Sequence, residues 1–561
     1  MTPGHTLWPG EIASPLPSPP TRTARPTGLP HRSNRVVPGM TGNVSCSAAR
    51  SVPGPLASAL QQYSGHRPQH SSLDNPVSSA CRYERTTVVV MSSAEVVEVT
   101  TEVFDELAAA GCRPHRLLVC QHGRLLAACR NTPWQKHQPS LVYSVSKTFT
   151  SMAVGIAVDE GHFGYLDRLV DLWPEILPEQ LGKVASQIRV RDLLTMSSGH
   201  SPEQTEQLLA RNHPPAESSV ADFLATEPLS RPGTDFAYNN LASWILGRLV
   251  ARHTGRTVVD LVDQHVLAPL EITEYSWQRD LDGQVLGYSG LHIDASDLLK
   301  VGQLLLDDGI HHGARLLPAE WIDMHRRTQV RTDGNAGPDW ALGYGWQVWT
   351  SQHGYRLDGA FGQYVLVLPE QDAVIVSTNN CPPAGPGAIQ IVLSTMWQRL
   401  VPALDRTAHS DPAGPDDADH TLAADDVTEV VRTIPTIDGD FDPVRSVQTM
   451  LEGGHLVVAP GQNGWNLTWT FPDDRTLRVR VGHQRWEHTR CALPPQSSTG
   501  GAEGLLDVAC CGGWTAAGLV IDLAVVSSPH TLRLVLGDEP CATWDSVPLD
   551  DQTLWSLVRP V

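Results

Sequence analysis

Tyr143-Ser144-Val145-Ser146-Lys147-Thr148-Phe149 is the stretch on which the reading of this chain turns. It sets a serine three residues before a lysine, in a chain where lysine is scarce. Lys136, Lys147, Lys183 and Lys300 are the only lysines among 561 residues, and the other three have no serine at that offset. Arginine keeps its proton inside a protein, whereas a buried lysine can give one up, so a lysine retained beside a serine points to proton chemistry. Residues 146–160 carry an apolar helical pattern closed by Gly161. Ser144 is therefore expected at a helix entrance, where free N–H groups and a partial positive charge gather. A residue three positions on shares its face, so Lys147 can reach the Ser144 hydroxyl. A partly desolvated lysine has a lowered pKa and can accept that proton. Taken alone, the same letters also describe a helix-start serine followed by an ordinary lysine.

Two further stretches give the pair a context. Phe236-Ala237-Tyr238-Asn239-Asn240-Leu241 opens a predicted helix over 240–252, with Leu241, Trp244, Ile245 and Leu249 on one face. A tyrosine two residues before an asparagine can present both side chains to one cleft. Tyr238 can shuttle a proton if a lysine stabilises its phenolate, and Asn240 can hold a substrate carbonyl or amide. Asn239 or Asn240 capping the helix beside a packed tyrosine is the plainer alternative. The second stretch, Leu357-Asp358-Gly359-Ala360-Phe361-Gly362-Gln363, leads into a predicted strand at Tyr364–Leu368. Gly359 lets backbone approach a ligand closely. The amides of Ala360 and Ser144 can then form an oxyanion hole. A glycine-rich hairpin without further duty would read the same way.

In this order the three elements resemble the serine beta-lactamase and penicillin-binding-protein superfamily, and specifically its class C beta-lactamase-like branch of esterases, D-amino-acid amidases and peptidases, and aminohexanoate-oligomer hydrolases. Three intervening pieces also match: Gly161-His162-Phe163-Gly164-Tyr165-Leu166-Asp167, Asp192-Leu193-Leu194-Thr195-Met196-Ser197-Ser198-Gly199-His200, and Gly343-Tyr344-Gly345-Trp346. The resemblance covers about 93–402. It implies Ser144 as acylated nucleophile, Lys147 as its base, Tyr238 as proton shuttle, Asn240, Asp358 and Gly359 as substrate-binding positions, and Ser144 and Ala360 as the oxyanion hole. The implied fold is α/β (α+β), an antiparallel sheet with helices on both faces and a helical insertion around 165–335. No metal or organic cofactor is implied.

One departure bears on substrate. The family's strand triad begins with lysine, or often histidine, and here that position is Leu357. Arg356 is one residue away, which points it to the other strand face. A pocket lacking that cation, with Asp358 nearby, should hold a beta-lactam carboxylate poorly. The expected partner is a small neutral or cationic ester or amide. A catalytically silent sensor on the same fold is the competing reading, kept open by Leu357, and a D-amino-acid peptidase or beta-lactamase is the weaker one. Trp340, Trp346 and Trp349 can wall an apolar pocket or pack in the core.

The rest of the chain frames this domain. A formal net charge of -20 argues against nucleic acid or anionic membrane as a partner. No apolar run approaches a membrane span, and no export signal opens the sequence, so a cytoplasmic location is expected. No feature sets an oligomeric state. Ten cysteines without metal or disulfide spacing read as reduced, buried fillers. Residues 1–90 are Pro-, Ser- and Arg-rich, carry a net positive charge and lack periodicity, so disorder is expected, with Met91 as the natural start. The hydrolase domain is expected over 91–403. Residues 404–428 form an acidic linker with seven aspartates. Residues 429–561 read as an all-β, barrel-like domain with strands at Trp465–Phe471, Thr476–Val481, Leu519–Val526 and Thr531–Leu536. It is similar to accessory barrels on some relatives, and Pro529-His530 and Trp544 within it read as structural.

Overall fold

Gly111 closes the first helix, Ser93–Ala109, in left-handed backbone geometry at φ 88°, as a glycine C-cap does. The chain then turns straight into a hairpin of Arg113–Gln121 and Arg124–Thr132. His122 and Gly123 between them both have positive φ, the backbone that a tight hairpin demands. The computed structural model describes residues 93–210, 216–334, 337–381, 389–408, 427–495, 499–501, 503–549 and 553–561. The 1–90 leader, Met91 and most of the acidic linker lie outside the described residues.

The hairpin joins a seven-stranded sheet. Its order is Val430–Thr433, Arg124–Thr132, Arg113–Gln121, Ala373–Asn380, Gln363–Leu368, Gly354–Gly359, Trp349–Ser351. All its pairings are antiparallel except the first, where Val430–Thr433 runs parallel to Arg124–Thr132. The Ser93–Ala109 helix packs on this sheet together with the closing helical run, Gln390–Ala408. The helix Ala295–Leu306 packs on Ala373–Asn380 and Gln363–Leu368, seated at Gly302. There a β-carbon would meet Val374 and Val365. Between the hairpin and the later strands lies the helical insertion, with the helices Ser146–Asp159 and Asn240–Thr254 packed against each other.

Four expectations need correcting. The residue pattern of Gly343–Trp349 also reads as a strand, but Gly343 and Gln347 have positive φ, Tyr344 makes only isolated bridges to Val330 and Trp349, and the regular strand is Trp349–Ser351. The Gln347 side chain explains the detour. Its Nε2 donates to the carbonyls of Leu193 and Leu194 while its Oε1 accepts from Ser243 Oγ, so it staples two helices. The closing helix runs on to Ala408, past the expected boundary at 403. The first strand after the linker belongs to the hydrolase sheet, not to the barrel. Finally, Cys112 and Cys381 form a disulfide across 269 residues. Sheet register brings them together: Arg113 pairs with Asn380, and the two cysteines are the next residues outward.

The C-terminal domain holds a ten-stranded sheet. The expected strands occur as Gly464–Thr470, Thr476–His483, Gly518–Val525 and Thr531–Leu536. Gly504–Thr515, a long strand that crosses Cys510-Cys511-Gly512-Gly513, was not foreseen. Its glycines answer a packing need: a β-carbon on Gly513 would meet the backbone of Gly439. Barrel and hydrolase domain belong to one compact unit, and Leu141, Tyr143, Ala360 and Phe361 pack into the barrel's core rather than the hydrolase's.

Candidate active site

The turn before the Ser146–Asp159 helix is built to present Ser144. Val142 donates its N–H to the Leu291 carbonyl at 3.0 Å. Ser146 Oγ donates to the Tyr143 carbonyl at 2.6 Å and accepts from the Leu291 N–H at 3.1 Å. So held, Tyr143 adopts φ 48°, the left-handed region that costs a bulky residue energy and that clusters at functional sites. A single 3-10 turn, Tyr143–Val145, follows and leads into the helix. One turn on, Lys147 Nζ donates to Ser144 Oγ at 2.8 Å and to the Tyr288 carbonyl at 2.9 Å. The lysine is 1% exposed.

Tyr238 lies directly beside this pair, with Lys147 Nζ 4.8 Å from its ring centroid. An aromatic nest holds the ring. Trp349 stacks on it at 6.0 Å and Tyr344 meets it edge-on at 6.4 Å. The Ala237 N–H anchors the loop to the Met196 carbonyl at 2.8 Å. Of the two asparagines, Asn239 is the cap: its Oδ1 accepts from the Ala242 N–H at 2.6 Å. Asn240 is the first residue of the helix and is buried.

The strand Gly354–Gly359 ends against the turn that carries Ser144. A β-carbon on Gly359 would stand inside contact distance of the Val142 carbonyl oxygen, so this position can only be glycine. The Tyr143 and Phe361 rings, on the chain neighbours of Ser144 and Ala360, pack together with centroids 5.3 Å apart. Leu357 is fully buried in the hydrolase core. Asp358 and Arg356 share the opposite face as a buried ion pair, Nε to Oδ2 at 2.9 Å. Arg356 also donates to the Asp339 and Thr350 carbonyls and to Ser351 Oγ, and lies over the Trp340 ring. Burial pushes the Asp358 carboxyl up to about 6, against the opposing pull of Arg356. The Asp358 charge is thus matched by Arg356, and its side chain is 1% exposed.

Two residues in contact with the site were not read from the sequence as belonging to it. One is Tyr288, whose carbonyl takes the second Lys147 hydrogen bond. Its nearest signal is a pair of bracketing positive-φ glycines, Gly287 and Gly290. The other is His530 of the barrel, 2.5 Å from the Tyr143 hydroxyl, for which no local signal exists. The intervening motifs serve architecture. Asp167 accepts the Gly164 N–H and Asp192 the Arg189 N–H, while a β-carbon on Gly199 would strike the Ser230 carbonyl. Of the three tryptophans, Trp349 backs Tyr238, Trp340 lies under Arg356 and Trp346 packs on Tyr165. Among the described residues, no group of three or more His, Cys, Asp and Glu side chains is placed to hold a metal ion.

Residues 101–408 match the model of the Beta-lactamase family. The chain belongs to the beta-lactamase family. It is a serine hydrolase of the amidase and esterase type. Among relatives of this beta-lactamase-family chain is 6-aminohexanoate-dimer hydrolase of Paenarthrobacter ureafaciens, 24% identical over 284 residues that span 47% of this chain and 72% of the relative. Similar solved structures include a D-stereospecific amidohydrolase from Streptomyces sp. (TM-score 0.40, 19% identity, 51% of this chain and 94% of the other). They also include the octameric penicillin-binding protein homologue from Pyrococcus abyssi (TM-score 0.42, 13% identity, 81% of this chain and 100% of the other). Among the described residues, no helix is long and apolar enough to cross a membrane.

Proposed function

We propose that this beta-lactamase-family protein, of the class C-like branch, cleaves an ester or amide through an acyl-enzyme on Ser144. The 2.8 Å contact between Lys147 Nζ and Ser144 Oγ, buried and braced by the Tyr288 carbonyl, carries the reading. Lys147 takes the hydroxyl proton as Ser144 Oγ attacks the carbonyl carbon. The amides of Ser144 and Ala360 receive the developing oxyanion. Tyr238, beside the lysine, passes the proton to the leaving alcohol or amine as the C–O or C–N bond breaks. Water then attacks the acyl-enzyme, with the same groups returning the proton to Ser144. Asn240, one helical residue beyond the Tyr238 loop, positions the acyl group.

The substrate we infer is neutral. Leu357 supplies no cation for a carboxylate, and the Arg356–Asp358 pair cancels itself below the surface. Similarity to a 6-aminohexanoate-dimer hydrolase supports amide cleavage within this class. Labelling by a fluorophosphonate, lost in Ser144→Ala, is the expected result. A folded wild type that takes no label would favour a catalytically silent protein instead.

A further inference from the structure

Two residues outside glycine hold left-handed backbone at this site, and each precedes or follows a proposed oxyanion donor. Tyr143 at φ 48° precedes Ser144, and Phe361 at φ 62° follows Ala360. Conformations like these cost on the order of 1–3 kcal/mol each and persist only where surroundings over-determine them. Beside the Ser146 and Leu291 contacts to the Tyr143 turn, part of those surroundings comes from the other domain. His530, on the barrel turn between Gly518–Val525 and Thr531–Leu536, touches both rings. Its Nε2 is 2.5 Å from the Tyr143 hydroxyl, and its ring meets the Phe361 ring edge-on at 4.7 Å.

The hydrogen-bond direction follows from the other ring nitrogen. Nδ1 lies 2.9 Å from the Ser546 carbonyl oxygen, which can only accept, and 2.8 Å from Ser546 Oγ. Nδ1 therefore carries the proton, and Nε2 accepts from the Tyr143 hydroxyl. The histidine is fully buried, and burial pushes its pKa down to about 3, so the ring is neutral. The same barrel turn grips the chain just upstream of Ser144: Leu141 donates its N–H to the Ser527 carbonyl at 2.9 Å, and Trp134 Nε1 donates to the Ser528 carbonyl at 3.2 Å.

We propose that His530 is a positioning residue for the oxyanion hole, holding Tyr143 and Phe361 so that Ser144 and Ala360 stay in register, and that the C-terminal barrel thereby completes the catalytic site. This rests on the reading of Ser144 as nucleophile. His530 touches neither substrate nor reacting atoms; it acts through the two strained neighbours. An oxyanion hole works only while its donors are fixed before charge develops, so small displacement of either amide weakens it.

The test uses the full chain with His530→Ala, His530→Gln, Tyr143→Phe and the double variant His530→Ala/Tyr143→Phe. The readouts are kcat and KM on a short-chain aryl ester, the rate of fluorophosphonate labelling, and thermal melting. His530→Ala should lower kcat and the labelling rate by about ten- to hundredfold while KM changes little, the signature of transition-state stabilisation lost without ground-state binding. His530→Gln, which keeps an acceptor for the tyrosine, should recover most of the loss. Tyr143→Phe should reproduce the loss, and the double variant should add little to it. A folded His530→Ala or Tyr143→Phe protein with wild-type kcat and labelling rate overturns the proposal. So does a kcat loss that tracks melting temperature and is not rescued by glutamine. If His530→Ala does not fold, Tyr143→Phe decides alone, because it removes a single oxygen atom. Wild type that is not labelled at Ser144 refutes the nucleophile reading itself, and this is seen before any variant is compared.

Discussion

Gly359 and Val142 meet backbone to backbone: no β-carbon fits on the glycine without striking the carbonyl oxygen of the residue two before Ser144. Neither partner is a flexible side-chain end, so a substitution must move the strand or the turn that carries Ser144. Gly359→Ala should therefore reduce kcat/KM on an aryl ester by about a hundredfold while the circular dichroism spectrum stays that of the wild type. Wild-type activity in a folded Gly359→Ala protein would show that the strand end does not set the site.

The Arg356–Asp358 pair should behave as a stability element and not as a substrate anchor. Removing one partner of a buried pair leaves an uncompensated charge, so Arg356→Ala should cost about 3–5 kcal/mol in urea unfolding. Its effect on KM in the remaining folded fraction should be small. A folded Arg356→Ala protein of unchanged stability with a raised KM would return the pair to the binding site.

Much of the hydrolase domain was legible because its signals are local. Ser144 and Lys147 lie one helical turn apart, and the turn alone brings them to 2.8 Å. The Asn239 cap is likewise decided within a few residues of chain. What could not be read depends on distant partners. Cys112 meets Cys381 only once sheet register is known. Tyr143 and His530 stand 387 positions apart and meet only through domain docking. Asp358 looked available because strand alternation separates Arg356 from Leu357, but the same alternation sets Arg356 and Asp358 on one face, where they pair.

The Cys112–Cys381 bond makes a further prediction. Non-reducing peptide mapping should recover these two cysteines as one linked species. Replacing both with alanine should lower stability by about 2–5 kcal/mol, since the bond closes a long loop in the unfolded chain. Such bonds form and persist in oxidising compartments. Free thiols at both positions in protein purified without reductant would contradict this.

Acid should weaken the fold. Burial holds the pKa of His292 and His530 at about 3 and of His325 at about 4, and pushes His115 well down too. In the unfolded chain these imidazoles take protons near pH 6.5, so below that value the unfolded state binds more protons and stability falls by up to about 1.4 kcal/mol per histidine per pH unit. Asp358 has the opposite sign. Its folded value, about 6, exceeds that of a free carboxyl, so its contribution declines as pH rises through that window. Asp192, Glu206, Asp297, Glu452 and Asp545 are raised in the same sense as Asp358, but His200, His253, His311 and His488 are lowered with the four above, so the histidines set the net direction between about pH 7 and about pH 5, where free carboxyls are already ionised. Urea midpoints should drop between about pH 7 and about pH 5; a flat or rising series would count against the buried neutral rings.

The central claim is the acyl-enzyme on Ser144, formed with Lys147 as base. Its most direct test is intact mass and peptide mapping of wild type, Ser144→Ala and Lys147→Arg after brief exposure to a fluorophosphonate. One adduct, mapped to Ser144, is expected in the wild type and none in either variant, because alanine has no hydroxyl and arginine keeps the charge but cannot take the proton. An adduct on another residue, or undiminished labelling in folded Lys147→Arg, would contradict it.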